Sequence, residues 1–387
     1  MHSVVDPQSH TIMKKFILLL ASFASVASLA CGATSYYVRQ HGFWMPPGGE
    51  PPDLTANIFS TVNGGDPTGV NPMDGGATDS NVFINVPRRV YVSGGHIEIN
   101  RLTVSCGEDA NNPDVYNTLT ISKNATFSTR HFLVIGTSGR DSYFNIRLLS
   151  GGTMDVSDSF YLTGTTSNAN YSATTTVTQS GGVMNVSAIT GLMLTGTVSG
   201  AANGTGTYYL EAGTLNVTGG QGISKGLGQG DLFWTGGSLN TVGVDFDLYN
   251  EGGNLTPGGD GVIGTMKAYA TGLVYEQVSS ACLSIDIGTA GAHDFIDWTG
   301  GSVSFWADSQ ISLNLIDNPS LTTGQTFDVM VADSINAENF TLIGDFASQF
   351  SVAVVDGNTL RLTYIPEPAA IAWLLGVLAL VAMRRRG

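Results

Sequence analysis

Two short acidic clusters are the places to look for chemistry. In VDFDL, Asp245 and Asp247 stand two residues apart, and in HDFID, His293 and Asp294 precede Asp297. A glycosidase needs two carboxyl groups about 5–9.5 Å apart, one to protonate the leaving oxygen and one to attack or to activate water. On one strand face any i, i+2 pair meets that distance, so Asp245 and Asp247 carry a weak signal. His293 beside Asp294 is the best single acid–base candidate, because an imidazole titrates near neutrality. A histidine in a loop between strands explains the same residues with less. A polysaccharide lyase would also need an Arg or Lys base, and between Thr153 and Thr241 the chain offers Lys225 alone and no Arg. No P-loop, HExxH or paired CxxC occurs. No cofactor is implied.

The elements that would hold such groups are strands. The chain has 387 residues, 42% hydrophobic and only 12% charged, with 50 glycines that follow no collagen period. Gly mixed with Thr, Ser, Asn and Val marks many turns between short strands. No sustained 3.6-residue apolar stripe runs between the two ends.

One unit returns through the middle: SGGHIEI at Gly95, KNATFST at Ala125, SGGTMDV at Gly152, SGGVMNV at Gly182, EAGTLNV at Gly213 and TGGSLNT at Gly237. Successive anchors lie 30, 27, 30, 31 and 24 residues apart. A period of this size means a stacked architecture. Within the unit Met154 and Val156, Met184 and Val186, and Leu215 and Val217 face one way, while Asp155, Asn185 and Asn216 face the other. A single coil cannot bury its apolar face; coils stacked about 4.8 Å apart can. Further strands follow, HFLVIG at His131, SFYLTG at Ser159 and GLMLTG at Gly191, then TTTVTQ at Thr174 and TYYLEA at Thr207. Three strands per turn describe a parallel β-helix over residues 82–251. The recurrent Asn and Asp should form a ladder on its outside.

The spacing is lost over residues 252–364, and longer alternating strands such as Leu283-Ile285-Ile287 suggest a β-sandwich-like cap. Residues 34–81 read as a loop-rich lead-in, and the three Asp of Asn63 to Asn81 lack EF-hand spacing. The runs GGNLTPGGDGVIGTM, LSIDIG, HDFIDWTGGSV and GQTFDVM resemble the C-terminal module of autotransporter-associated β-strand repeat proteins. That resemblance implies a surface-exposed or secreted bacterial solenoid and names no ligand. The stretch after Tyr364 is too short for an outer-membrane barrel, so a self-secreting autotransporter is not expected.

Both ends look like addresses. Lys14 and Lys15 precede an apolar run from Phe16 to Leu29 and the small residues Ala30-Cys31-Gly32-Ala33, the order of a signal peptide over residues 1–33, with Met13 as the true start. Acylation of Cys31 is disfavoured by Ser28, where a lipobox has Leu. At the other end, Ala369 to Met383 is uncharged and ends in Arg384, Arg385 and Arg386. Fifteen residues make a helix of about 22 Å, which extension to Ile365 and snorkelling arginines bring close to a membrane span. The arginines should stay cytoplasmic and leave the body outside the inner membrane.

Pro366-Glu367-Pro368, an apolar helix and an Arg cluster, in that order over residues 365–387, closely resemble the PEP-CTERM sorting signal. The resemblance implies recognition by an exosortase, cleavage near Pro-Glu-Pro, and a bacterium that makes exopolysaccharide. Glu367 and the arginines are then sorting determinants.

The formal net charge is −15, and five of the 16 basic groups lie in the two end segments. An acidic body disfavours nucleic acid as a partner. Solubility explains the acidity plainly; calcium binding is the sharper alternative. Of three cysteines, Cys106 and Cys282 lie far apart and read as small buried apolar groups. The expectation is a non-catalytic, exosortase-sorted envelope or matrix protein that is structural or adhesive and contacts exopolysaccharide. The alternative is a carbohydrate-active β-helix enzyme, a lyase or hydrolase.

Overall fold

The computed structural model describes residues 35–38, 59–60, 81–84, 89–92, 95–104, 117–136, 142–165, 172–196, 204–337 and 339–365. The signal peptide, the apolar run of residues 369–383, the sorting residues Pro366, Glu367, Pro368 and Arg384 to Arg386, Cys31, Cys106 and nearly all of Asn63 to Asn81 lie outside them. Among the described residues no helix is long and apolar enough to cross a membrane.

Strands stack in parallel on three sheets to form a β-solenoid. The first sheet pairs Gly95 with Ala125, Thr126 with Thr153, Thr153 with Val183, Val183 with Thr214 and Thr214 with Ser238. These are the anchors of the repeat, aligned residue for residue. The second sheet runs Val82, Leu102, Phe132, Phe160, Leu192, Ile223 and Val244. The third runs Val90, Leu119, Ile146, Val177, Tyr208 and Leu232. Long strands turn the corners: Ala125–Gly136 and Thr153–Thr165 run from the first sheet into the second, and Ala173–Val186 and Thr205–Val217 from the third into the first.

Period-two alternation decides what is buried. Met154, Val156, Met184, Val186, Leu215 and Val217 are all inside, and like residues sit on like in neighbouring coils. Phe132 packs edge-on against Phe160 at 5.1 Å between ring centres, one rung away. Each fully buried side chain of this size stabilises by about 1.5–3 kcal/mol relative to exposure. The corner before the first sheet is packed backbone on backbone. A Cβ on Gly182 would stand 2.3 Å from the Gly152 carbonyl oxygen, and one on Gly213 2.3 Å from that of Gly182, with both residues at positive φ. Buried amides complete other corners. Gln179 donates to the carbonyls of Gly182 (3.3 Å) and Thr214 (2.9 Å), and Gln277 to those of Ala281 (3.2 Å) and Gln310 (3.0 Å).

The sandwich-like cap expected over residues 252–364 is not what forms. Asn254 pairs in parallel with Cys282, Cys282–Ile287 with Ser309–Leu315, and that strand with Phe340–Ile343. Phe295–Phe305 and Thr326–Ala337 continue the second sheet and turn into the third. The solenoid therefore runs through Ala337 without a boundary at residue 252. The longer alternating strands that suggested a sandwich are two-sheet strands broken by a bulge, between Trp298 and Ser302 in one case. Antiparallel pairing closes the end: Thr359–Tyr364 pairs with Thr326–Ala337 on one side and Phe350–Val355 on the other. This two-strand closure covers an edge that parallel stacking would leave open. Arg361 clamps Asp328 across it, Nη2 to Oδ2 at 2.9 Å, and holds that carboxyl below its ordinary range.

Candidate functional site

The residues singled out for chemistry are mostly occupied by the backbone. Asp245 and Asp247 do not share a strand face. They lie in the bend between Gly243–Val244 and Leu248–Asn250. Asp245 Oδ1 accepts the Lys225 backbone N–H at 2.8 Å, and Asp247 Oδ1 that of Val274 at 2.8 Å. Each ties its bend to the neighbouring coil. The alternation that suggested a strand stops because this coil is too short to supply one.

His293 sits at a single antiparallel bridge with Ile287. Its Nδ1 faces the Gly291 carbonyl at 2.9 Å, its Nε2 the Asp328 carbonyl at 3.0 Å, and the ring packs edge-on against Phe327. Both nitrogens are tied to the fold, as a structural histidine's would be. Asp294 is fully buried, with Oδ1 accepting the Gly264 N–H at 2.8 Å and Oδ2 that of Asp286 at 2.9 Å. Burial is the largest influence on it and pushes its pKa up to about 7, against those two hydrogen bonds. Asp286, beside it, is also raised, first by burial; its Oδ1 accepts from Asn314 Nδ2 at 2.9 Å. Asp297 accepts the Thr299 N–H at 3.2 Å on the outer face of its strand. The two aspartates of HDFID therefore do not converge with His293 on one cleft.

Gly222-Ile223-Ser224-Lys225-Gly226 matches the nucleophile-elbow pattern as a string. Ser224 is buried in the two-residue strand Ile223–Ser224, and strand rather than helix follows, so the strand–turn–helix context is missing. Cys282 is half-buried on the outward side of its strand, not enclosed as expected, and burial raises its thiol. Among the described residues no three His, Cys, Asp or Glu gather into a metal-binding group.

The polar ladder is present and continuous. Ser128 Oγ donates to Asp155 Oδ2 at 3.1 Å, Asn185 Nδ2 to Asp155 Oδ1 at 2.8 Å, Asn216 Nδ2 to Asn185 Oδ1 at 2.8 Å, and Asn240 Nδ2 to Asn216 Oδ1 at 3.3 Å. Each amide gives to one neighbour and accepts from the other, as stacked identical positions allow.

A second outer feature went unnoticed in the sequence. Tyr209 and Phe233, on the outer face of the third sheet, stack at 5.0 Å with ring planes 13° apart, and Tyr249 stands on the next rung beyond Phe233. All three are exposed. Beside them is a cavity of about 300 Å³ lined by residues that include Lys225, Asp231, Phe233, Asp247, Tyr249 and Glu251. The signal was in TYYLEA, where Tyr208 belongs to the inward set and Tyr209 therefore points out. Its partners lie 24 and 16 residues further on, and only the pairing brings them together.

No protein-family model matches the chain, and no curated protein matches it.

Proposed function

We propose that this protein is an exported, non-catalytic solenoid of the cell envelope or extracellular matrix, sorted through its C-terminal tail and serving as a structural or adhesive surface. A β-helix serves enzymes and scaffolds alike, so the fold alone decides nothing. What supports the reading is the Ser128–Asp155–Asn185–Asn216–Asn240 ladder, a long outer face whose polar groups are satisfied by one another. Such a face is rigid and repetitive, which suits contact with an extended polymer and gives no reacting centre. The carboxylates that catalysis would need are committed to backbone N–H groups instead.

Export rests on the two ends of the chain. The leader directs the body across the inner membrane, and Ala369 to Met383 holds it there until an exosortase acts near Pro366-Glu367-Pro368. Exopolysaccharide is then the polymer at hand. Cell fractionation tests the reading: the body should be found outside the inner membrane, and deletion of the source cell's exosortase should hold it there as precursor. A body that stays cytoplasmic, or that distributes identically with and without exosortase, contradicts it.

A further inference from the structure

We propose that the aromatic recess on the third sheet, formed by Phe233 and Tyr249 and continued by Tyr209, is a binding subsite for a neutral polysaccharide chain. This deepens the reading above and rests on it for the protein's place in the envelope.

The recess exists because the solenoid narrows. Thr214 and its partner Ser238 are 24 residues apart, and Ser238 and Asn254 only 16, against 31 from Val183 to Thr214. The missing residues shorten the strands to Gly243–Val244, Leu248–Asn250 and Asn254–Leu255. A shorter coil sits in from the outer surface of its neighbours and leaves a hollow. Ring faces and acids line that hollow. Phe233 and Tyr249 are each 46% exposed and Tyr209 is 37% exposed, a cost that a monomer's sheet face has no packing reason to bear.

The lining chooses the ligand. An aromatic face is electron-rich and matches the C–H face of a pyranose ring, which is apolar and weakly positive. Around it, the head groups of Asp231, Glu251 and Lys225 make no hydrogen bond or ion pair among the described residues, and Asp247 uses one oxygen only. These free acceptors and a donor suit sugar hydroxyls. A few polar groups around apolar walls, in a volume near the lower end of the usual range of about 300–1,000 Å³, is the form of a small-molecule subsite. Three carboxylates against one ammonium, on an acidic body, repel uronates and sulfated chains.

Direction follows from stacking. Tyr209, Phe233 and Tyr249 occupy successive rungs, about 4.8 Å apart, so a chain laid on them runs along the solenoid axis. Further along the same sheet, Trp306 is 54% exposed and its indole N–H donates to Glu276, whose strand neighbour is Tyr249. It extends the track.

Affinity electrophoresis of the full exported body tests this, in gels cast with neutral β-glucan, neutral mannan or alginate as probes. The wild type should be retarded by at least one neutral polysaccharide and not by alginate. Phe233→Ala and Tyr249→Ala should each weaken that retardation about ten-fold, the scale of losing a buried anchor at a contact, while Ile189→Ala, exposed elsewhere, leaves it unchanged. All three side chains are exposed, so circular dichroism and thermal midpoint should match wild type and separate lost binding from lost fold. No retardation by either neutral polymer, equal retardation by alginate, or full retardation by the Phe233→Ala/Tyr249→Ala double variant overturns the assignment. A body that reaches the cell surface but binds neither neutral polymer refutes this subsite and leaves the sorting proposal intact.

Discussion

The coils from Ala125 to Val217 and those from Ile223 to Phe305 share three sheets and one continuous core, yet present different outer faces. In the first group the coils are 27 to 31 residues long, and equivalent outward positions carry Ser, Asp and Asn that bond to one another. In the second the coils shorten, the outward column of the third sheet becomes aromatic, and loose acids gather beside it. Uniform length makes a self-satisfied wall; a change of length makes a recess. The same difference separates where Asp155 ends up, shared by two neighbours along the stack, from where Asp245 and Asp247 end up, each pinning a bend.

Substitutions can break this contrast, and the largest effects belong to the regular part. Gly213→Val should cost several kcal/mol, because its Cβ would strike the Gly182 carbonyl at a positive φ. Thermal unfolding should show a fall of many degrees or a loss of soluble protein. In the short coil, Gly253→Ala should be similarly severe for a different reason: its Cβ would lie 1.8 Å from Trp234 Nε1, so a backbone or indole must move. A cost under about 1 kcal/mol at both positions would mean the coils tolerate separation, contrary to close stacking.

Next comes the shared core. Phe132→Ala should destabilise by about 3–5 kcal/mol in chemical denaturation, because Phe132 is fully enclosed against Phe144 and Phe160.

The buried acid of the later coils gives a pH signature that the regular coils lack. Asp294 has a folded pKa of about 7, above its unfolded value near 3.8. The native state therefore holds this proton more tightly than the unfolded chain. Stability from this group is fully present below about pH 4 and is lost as pH rises through 7, a change on the order of a few kcal/mol at most. Asp286, raised in the same direction, adds to the slope. Denaturation midpoints taken from pH 4 to 8 should fall with pH over this interval, and Asp294→Asn should flatten the dependence while weakening one of two backbone contacts. A wild-type midpoint that rises steadily over that range would contradict the burial argument.

The smallest effects are on the ladder. Asn185→Ala removes two amide hydrogen bonds on a partly exposed face and should cost about 1 kcal/mol, read from the shift in urea midpoint at unchanged slope.

The regular coils could be read from sequence because each carries the same punctuation at nearly the same interval. Gly95, Ala125, Gly152, Gly182, Gly213 and Gly237 fall on one column since a corner with no room for a Cβ selects small residues coil after coil. Past Gly237 that marker lapses: the Ser238–Asn254 coil has lost residues from its strands, so the rhythm fades although the stacking does not. A fading rhythm looked like a new domain. Asp245 and Asp247 were taken for a strand pair on the same grounds, where the chain makes a bend. Tyr209, Phe233 and Tyr249 escaped notice because three aromatics at intervals of 24 and 16 form no periodic pattern until the rungs are paired. The Asn–Asp ladder was legible for the opposite reason: identical neighbours repeat at the repeat's own interval.

The central claim is that this solenoid is delivered to the outside of the cell and parted from its tail. Intact-mass and C-terminal peptide mass spectrometry of protein recovered from the cell surface test it most directly. The account predicts a chain that has lost its leader and ends close to Pro366-Glu367-Pro368, without Arg384 to Arg386. A surface-fraction chain that still ends at Gly387, or a full-length chain found only in the inner membrane, would contradict it.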